Sequence, residues 1–226
     1  MHTDRFTSGT AGALVTPTGY DRFFGRSVLV ARLLTTTTGR VSLPETVELP
    51  TDRPLLFAAN HSSLFDLVAS LVALGHFGLP ARIGVNARFF INPAGRAFLR
   101  RLGCIPFDRD HREAAEESMT EALVARQACA IMPEGRITKP HERVDGVGPG
   151  RPGVSRIARL AGAAVVPVGI VGSDQVWPPG SARIRVGIRR DPVVVRFGRP
   201  MEFDTDDHSA NTAELMAAIS EACSSR

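Results

Sequence analysis

The sequence predicts a single α/β domain, a mostly parallel mixed sheet of about seven strands flanked by helices. Three observations carry that prediction. From Pro54 onward, short apolar runs alternate with segments of helical length, the pattern of repeated strand–helix units. The 226 residues suffice for one sizeable domain with a buried core. Finally, His61, Arg109 and Glu134 each follow one of the apolar runs within a few positions. In an open parallel sheet that is where loops converge and ligands bind.

Three units are expected along the chain. Residues 1–19, rich in Thr, Gly, Ser and Pro, read as a mobile leader. Residues 20–53 hold an N-terminal amphipathic helix and a linker. Phe23, Phe24, Ser27, Val28, Ala31 and Leu34 recur at helical spacing, with Arg22, Arg26 and Arg32 among them. This helix has two readings, packing on the domain or lying in a bilayer interface. Residues 35–53 contain β-branched residues and admit an edge strand. Residues 54–226 carry the rest. Strands are expected at 55–59, 81–86, 104–107, 128–132, 164–170, 183–188 and 193–198, and helices at 66–75, 94–102, 110–126, 153–161 and 209–224. Asp110 with Glu113 forms an expected N-cap pair. The last two strands are expected to pair as a hairpin through Arg189-Arg190-Asp191-Pro192. Pro167, lacking an amide donor within an apolar run, predicts an edge or a bulge.

Composition narrows the function classes. No run of about 18 uncharged apolar residues occurs, so no membrane-spanning helix is expected. The first residues lack the pattern of a secretory signal, so a cytoplasmic location is expected. Cys104, Cys129 and Cys223 are odd in number and widely spaced, which fits neither a disulfide framework nor a metal site, and no metal is expected. The net charge of +4 suits anionic lipid surfaces and phosphorylated substrates. Because the arginines are dispersed and aromatic residues make up only 6%, no nucleic-acid partner is expected.

The chemistry concentrates in Asn60-His61-Ser62-Ser63-Leu64-Phe65-Asp66. A histidine can take a proton from an alcohol, and a nearby carboxylate can fix its tautomer and offset the imidazolium charge. Five residues apart on one continuous helix, the two side chains would diverge. A strand ending near Ala59, with His61 in the turn and Asp66 in the first helical turn, brings them together. The ordinary alternative is a buried corner histidine capped by Ser62 or Ser63. Downstream, Glu134-Gly135 after Met132-Pro133 reads as a tight turn whose glycine opens backbone amides to an anion. A carboxylate is a poor direct partner for phosphate, so Glu134 is expected to orient Arg136 or Arg109, or to accept a bond from an acceptor hydroxyl. Arg109 either pairs with Asp108, Asp110 or Glu113, or contacts phosphate. Residues 145–150, glycine-rich without a Walker ending, read as a flexible loop over the cleft.

Taken in order, residues 60–66, Gly103-Cys104-Ile105-Pro106-Phe107-Asp108-Arg109, Met132-Pro133-Glu134-Gly135-Arg136-Ile137-Thr138 and Val165-Val166-Pro167-Val168-Gly169-Ile170 resemble the four blocks of the glycerolipid acyltransferase superfamily. That superfamily includes the bacterial 1-acylglycerol-3-phosphate acyltransferases, and the resemblance spans roughly residues 50–200. It implies a glycerolphosphate-acyltransferase-like fold. It also implies transfer of a fatty acyl group from acyl-CoA or acyl-carrier protein, as co-substrate rather than cofactor, to a hydroxyl of a lysophospholipid. In that resemblance His61 is the catalytic base and Asp66 its helper, while Arg109, Glu134 and Gly135 bind the phosphate-bearing acceptor. Two departures matter. Arg136-Ile137-Thr138 replaces the Thr-Arg-Ser of many relatives and is similar to bacterial 2-acylglycerophosphoethanolamine acyltransferases, so Arg136 takes the arginine role from a shifted position. Arg151-Pro152-Gly153 stands in place of Lys-x-Gly and supplies a cation near a helix start. The resemblance also implies a lysophospholipid or other hydroxyl acceptor and a membrane surface as partners. Acyl transfer to a non-phospholipid acceptor, hydrolysis at the same His–Asp pair, and non-catalytic lipid binding are the competing readings.

Overall fold

The computed structural model describes residues 18–186 and 192–224; the expected leader therefore lies almost wholly outside the described residues. The strands are β1 Val41–Ser42, β2 Leu55–Ala59, β3 Ala81–Asn86, β4 Ile105–Phe107, β5 Ala128–Ile131, β6 Ala164–Val171 and β7 Val193–Phe197. The helices are α1 Thr18–Thr37, α2 Asp66–His76, α3 Pro93–Arg101, α4 Arg112–Val124, α5 Gly153–Ala161, α6 Ser173–Val176 and α7 His208–Ser224. One seven-stranded sheet runs in the order β1-β7-β6-β2-β5-β3-β4. Every residue of β2 is buried, as its uninterrupted apolar run requires of a central strand covered on both faces. It pairs in parallel with β5 and β6. One face of the sheet packs with Phe24, Val28, Ala69 and Val72 of α1 and α2. The other packs with Met119, Leu123, Ile157, Leu215 and Ile219 of α4, α5 and α7.

Several expectations need correction. The described part of the anticipated 183–188 strand is not a strand. Arg185 instead donates its amide to Val176 O at 2.9 Å, tying this segment to the end of α6. No hairpin forms through the described residues, and positions 187–191 lie outside them. The reason is that both edges of β7 are taken, antiparallel by β6 and parallel by β1. The seventh strand is thus the short edge piece in the linker. The Asp110–Glu113 cap is absent as well. Helix α4 starts at Arg112 after His111, with no side-chain cap bond, and the Asp110 amide donates to Asp108 Oδ1 at 3.2 Å. Pro167 lies in a central strand, not at an edge. Its missing donor falls where the pairing with β7 lapses, between the Val168–Phe197 pair and the isolated Val165–Met201 bridge.

Helix α1 buries Phe24, Val28 and Ala31, and the Tyr20 hydroxyl donates to Ala81 O at 2.6 Å. Its outer side carries a second apolar set, with Leu29 and Leu33 both 68% exposed beside Val30 and Leu34.

Candidate active site

The strand-to-helix corner after β2 brings His61 and Asp66 together as the spacing requires. His61 Nδ1 donates to Asp66 Oδ2 at 2.9 Å. Asp66 is fully buried, and the same oxygen accepts the amides of Ser62 at 2.7 Å and Ser63 at 2.8 Å. Its other oxygen accepts the Ser173 hydroxyl. Donors therefore meet both oxygens, as a buried carboxylate requires. Because a carboxylate only accepts, Nδ1 carries the proton and Nε2 is the basic nitrogen. The His61 side chain retains 20% exposure and lines a large cavity. Asn60 fastens the corner to β6, accepting from the Ile170 amide at 2.7 Å and donating to its carbonyl at 2.9 Å. Ser63 does serve locally, accepting the Phe65 amide at 3.0 Å within the turn, while α2 itself starts with no side-chain cap bond.

The turn after β5 grips the same histidine from behind. Glu134 Oε1 accepts the His61 amide at 3.0 Å, and the Thr138 amide donates to His61 O at 2.8 Å. The other Glu134 oxygen accepts the Thr138 hydroxyl. Burial pushes the Glu134 carboxyl above its ordinary value of 4.5, while amide bonds from His61 and Gly148 pull the other way. Glu134 is buried and does not line the cavity, and among the described residues no ion pair joins it to Arg109 or Arg136. Arg136 pairs instead with Glu142 at 2.7 Å, and its guanidinium holds that carboxyl below the usual range. Gly135 adopts φ +67°, where a side chain is strained, and a Cβ there would lie 2.8 Å from Arg151 Nε. Arg151 crosses at that point, donating Nε to Glu134 O at 3.3 Å and its amide to Pro133 O at 2.9 Å. The glycine-rich segment 145–150 is tied down. Val144 and Val147 bridge each other, and the Gly148 amide bonds Glu134. A hydrogen-bonded turn, with Gly146 O and Asp145 O accepting from Asn60 and Ser220, stands where composition suggested a flexible loop over the cleft, and none of residues 145–150 lines the cavity.

The cavity, about 1040 Å³, lies above the carboxyl ends of β2, β3, β4 and β5. That is at the upper end of ordinary ligand pockets, roughly 300–1,000 Å³. Gly135, Arg136, Arg151, His61 and Arg109 all line it. Arg88, Arg112 and Lys139, not singled out in the sequence, line it too. Apolar walls come from Leu64, Leu67, Ile83, Val85, Phe98 and Phe107. Arg109 follows β4, three strand spacings or about 14 Å across the sheet from β2. Among the described residues neither Arg109 nor Arg112 has an ion-pair partner. Burial pushes the Cys104 and Cys129 thiols up to about 12, which leaves them unsuited to act as nucleophiles.

Two contributors escaped sequence reasoning. Arg143 donates to Ser62 O at 3.2 Å and Thr138 O at 2.9 Å, and pairs with Asp174 at 2.6 Å. Ser173 meets Asp66 from 107 positions away. Neither sits in a pattern that a linear reading detects.

A mostly parallel α/β sheet with a histidine–aspartate pair and basic residues at its carboxyl edge agrees with the glycerolipid-acyltransferase class that the sequence blocks resemble. Residues 40–171, more than half of the chain, match the model of the family described as Acyltransferase, and the chain belongs to that family. It is 27% identical over 174 residues to a chloroplastic 1-acyl-sn-glycerol-3-phosphate acyltransferase of Arabidopsis thaliana, covering 75% of this chain and 45% of that protein. A chloroplastic 1-acyl-sn-glycerol-3-phosphate acyltransferase of Brassica napus is 27% identical over 180 residues, covering 75% of this chain and 48% of its own. The chain thus spans about half the length of the curated relatives it matches. The crystal structure of the 1-acyl-sn-glycerophosphate acyltransferase PlsC from Thermotoga maritima superposes with a TM-score of 0.66 at 19% identity. That match covers 92% of this chain and 79% of the other. This likeness establishes the fold.

Proposed function

We propose that the protein is an O-acyltransferase that moves a fatty acyl group from acyl-CoA or acyl-carrier protein to a hydroxyl of a lysophospholipid such as 1-acylglycerol-3-phosphate. The observation that carries this reading is a histidine held by a buried aspartate at the wall of a cavity lined by both apolar side chains and several arginines. The apolar lining suits an acyl chain and the cations suit a phosphate. His61 Nε2 takes the proton of the acceptor hydroxyl as that oxygen attacks the thioester carbonyl. Asp66 offsets the imidazolium that forms. The tetrahedral intermediate collapses, the C–S bond breaks, and the departing sulfur takes the proton from His61. The products are a new ester and a free thiol. In this reading the acceptor's phosphate is held by Arg109 and Arg112, with Arg136 and Arg151, all of which line the cavity.

Membrane-surface association belongs to the same proposal, at the cytoplasmic face. Among the described residues no helix is long and apolar enough to cross a membrane. The exposed Leu29, Val30, Leu33 and Leu34 of α1, interleaved with Arg26 and Arg32, form a face suited to an anionic lipid interface. At the cavity, Phe89 and Phe98 are both wall residues and exposed, and Ile91 beside them is exposed too.

Incubation with labelled palmitoyl-CoA or, in parallel, labelled palmitoyl-acyl-carrier protein and a panel of lysolipids, read by mass spectrometry, tests the reading. A new ester is expected with a phosphate-bearing acceptor. Free fatty acid alone would replace transfer with hydrolysis, and an unconsumed thioester from both donor classes would favour lipid binding without catalysis. His61→Ala should fold and lose on the order of 10²-fold or more in thiol release.

A further inference from the structure

Resting on that reading of His61 as the base, we propose that Ser173 is a positioning residue whose hydroxyl fixes the Asp66 carboxylate that orients His61. Ser173 lies two residues past the end of the family match and is fully buried. It reaches the site through the corner between β6 and α6. There Gly172 takes φ +87°, and a Cβ on it would sit 2.4 Å from Pro192 O. That backbone, closed to other residues, turns the Ser173 side chain beneath the His61 turn. The rest of the corner is locked to the same turn. Ser63 Oγ donates to Trp177 O at 2.6 Å, and Asp174 holds Arg143, which donates to Ser62 O.

The proton count gives the chain of bonds a direction. Asp66 can only accept, so the single Ser173 hydroxyl proton goes to Oδ1. Ser62 Oγ, 2.8 Å from Ser173 Oγ, is then the donor of that pair. Oδ2 already receives His61 and two amides. Oδ1 has no other donor closer than Ser62 Oγ at 3.5 Å, the outer limit of a hydrogen bond. Without Ser173 that oxygen would sit unmatched in a dry pocket, and the carboxylate would turn to recover a donor. The His61 ring would lose its fixed angle. Ser173 does not line the cavity, so its effect must pass through Asp66.

Ser173→Ala and Ser173→Thr, made in the full chain, test this. For Ser173→Ala we expect kcat to fall on the order of tenfold, less than the ~10²–10⁴-fold supplied by a general base. KM for donor and acceptor should stay within about twofold. Ser173→Thr, which keeps the hydroxyl, should recover most of kcat. A second readout needs no turnover. In ¹⁵N-histidine-labelled protein, the His61 Nδ1–H resonance, assigned by its loss in His61→Ala, should be slow to exchange in wild type and broadened in Ser173→Ala. Wild-type kcat with an unchanged Nδ1–H signal in Ser173→Ala would overturn the proposal. Should Ser173→Ala fail to fold, Ser173→Cys, of similar size but a weak donor, decides by the same two measurements. A wild-type protein that transfers no acyl group yet shows the Ser173-dependent signal would overturn the acyltransferase reading and support the hydrogen-bond role.

Discussion

His61 is held at three atoms by two separate segments, its own corner and the turn after β5. Its ring meets Asp66, its amide meets Glu134, and its carbonyl meets the Thr138 amide. Glu134 therefore holds His61 from behind, and its pH behaviour offers a test. Burial raises its pKa above 4.5, so the folded chain holds that proton more tightly than the unfolded chain does. The associated stability is fully present below 4.5 and is lost as pH rises through the raised value. A glutamine cannot titrate. The melting-temperature gap between wild type and Glu134→Gln should accordingly move in the variant's favour as pH rises from below 4.5, and a gap independent of pH would refute an upward shift of the Glu134 carboxyl. The His–Asp pair was legible in the sequence because both members fall within one short window and the required bend has a sequence signature. The inward turn of Glu134 was not. A carboxylate beside a glycine turn can face either way until the backbone of another strand supplies its donors.

At the level of elements, apolar run length set most boundaries to within a residue or two, because a central parallel strand must be apolar throughout. The error at residues 183–188 has an equally plain origin. Arg183-Ile184-Arg185-Val186 alternates as a strand should, but pairing needs an open edge, and β7 has none. The double apolar character of α1 explains why its two readings stayed open: one face is covered by α2 and the other is exposed. Close packing of β6 on α7 yields a further prediction. A Cβ at Gly169 would come within 2.5 Å of the Ala222 backbone, which a side-chain rotation cannot relieve. Gly169→Ala should cost ~1–3 kcal/mol, as overpacking does. Urea unfolding would show it as a lower midpoint with an unchanged slope, whereas a wild-type midpoint would mean that α7 can shift at no cost.

For the whole molecule, the cavity, the exposed face of α1 and the apolar residues at the cavity wall all offer contacts to lipid. Sedimentation with phosphatidylglycerol vesicles separates surface binding from chemistry. Leu29→Asp combined with Leu33→Asp should weaken vesicle binding on the order of tenfold or more, since each removes a buried apolar contact and adds repulsion from an anionic surface. Turnover of a short-chain, freely dissolved lysolipid should persist, because neither residue lines the cavity. Undiminished sedimentation would show that α1 does not dock on lipid.

The order of strands also bears on how the protein is made. Asn60 finds its partner Ile170 110 positions downstream, and β2 gains both neighbours only after β5 and β6 have been synthesised. Such distant pairing is slow and leaves apolar segments uncovered during synthesis. A ribosome must therefore carry the nascent polypeptide well past its midpoint before the corner that holds His61 can be fastened to β6, and any product cut short before that stage would lack this anchor.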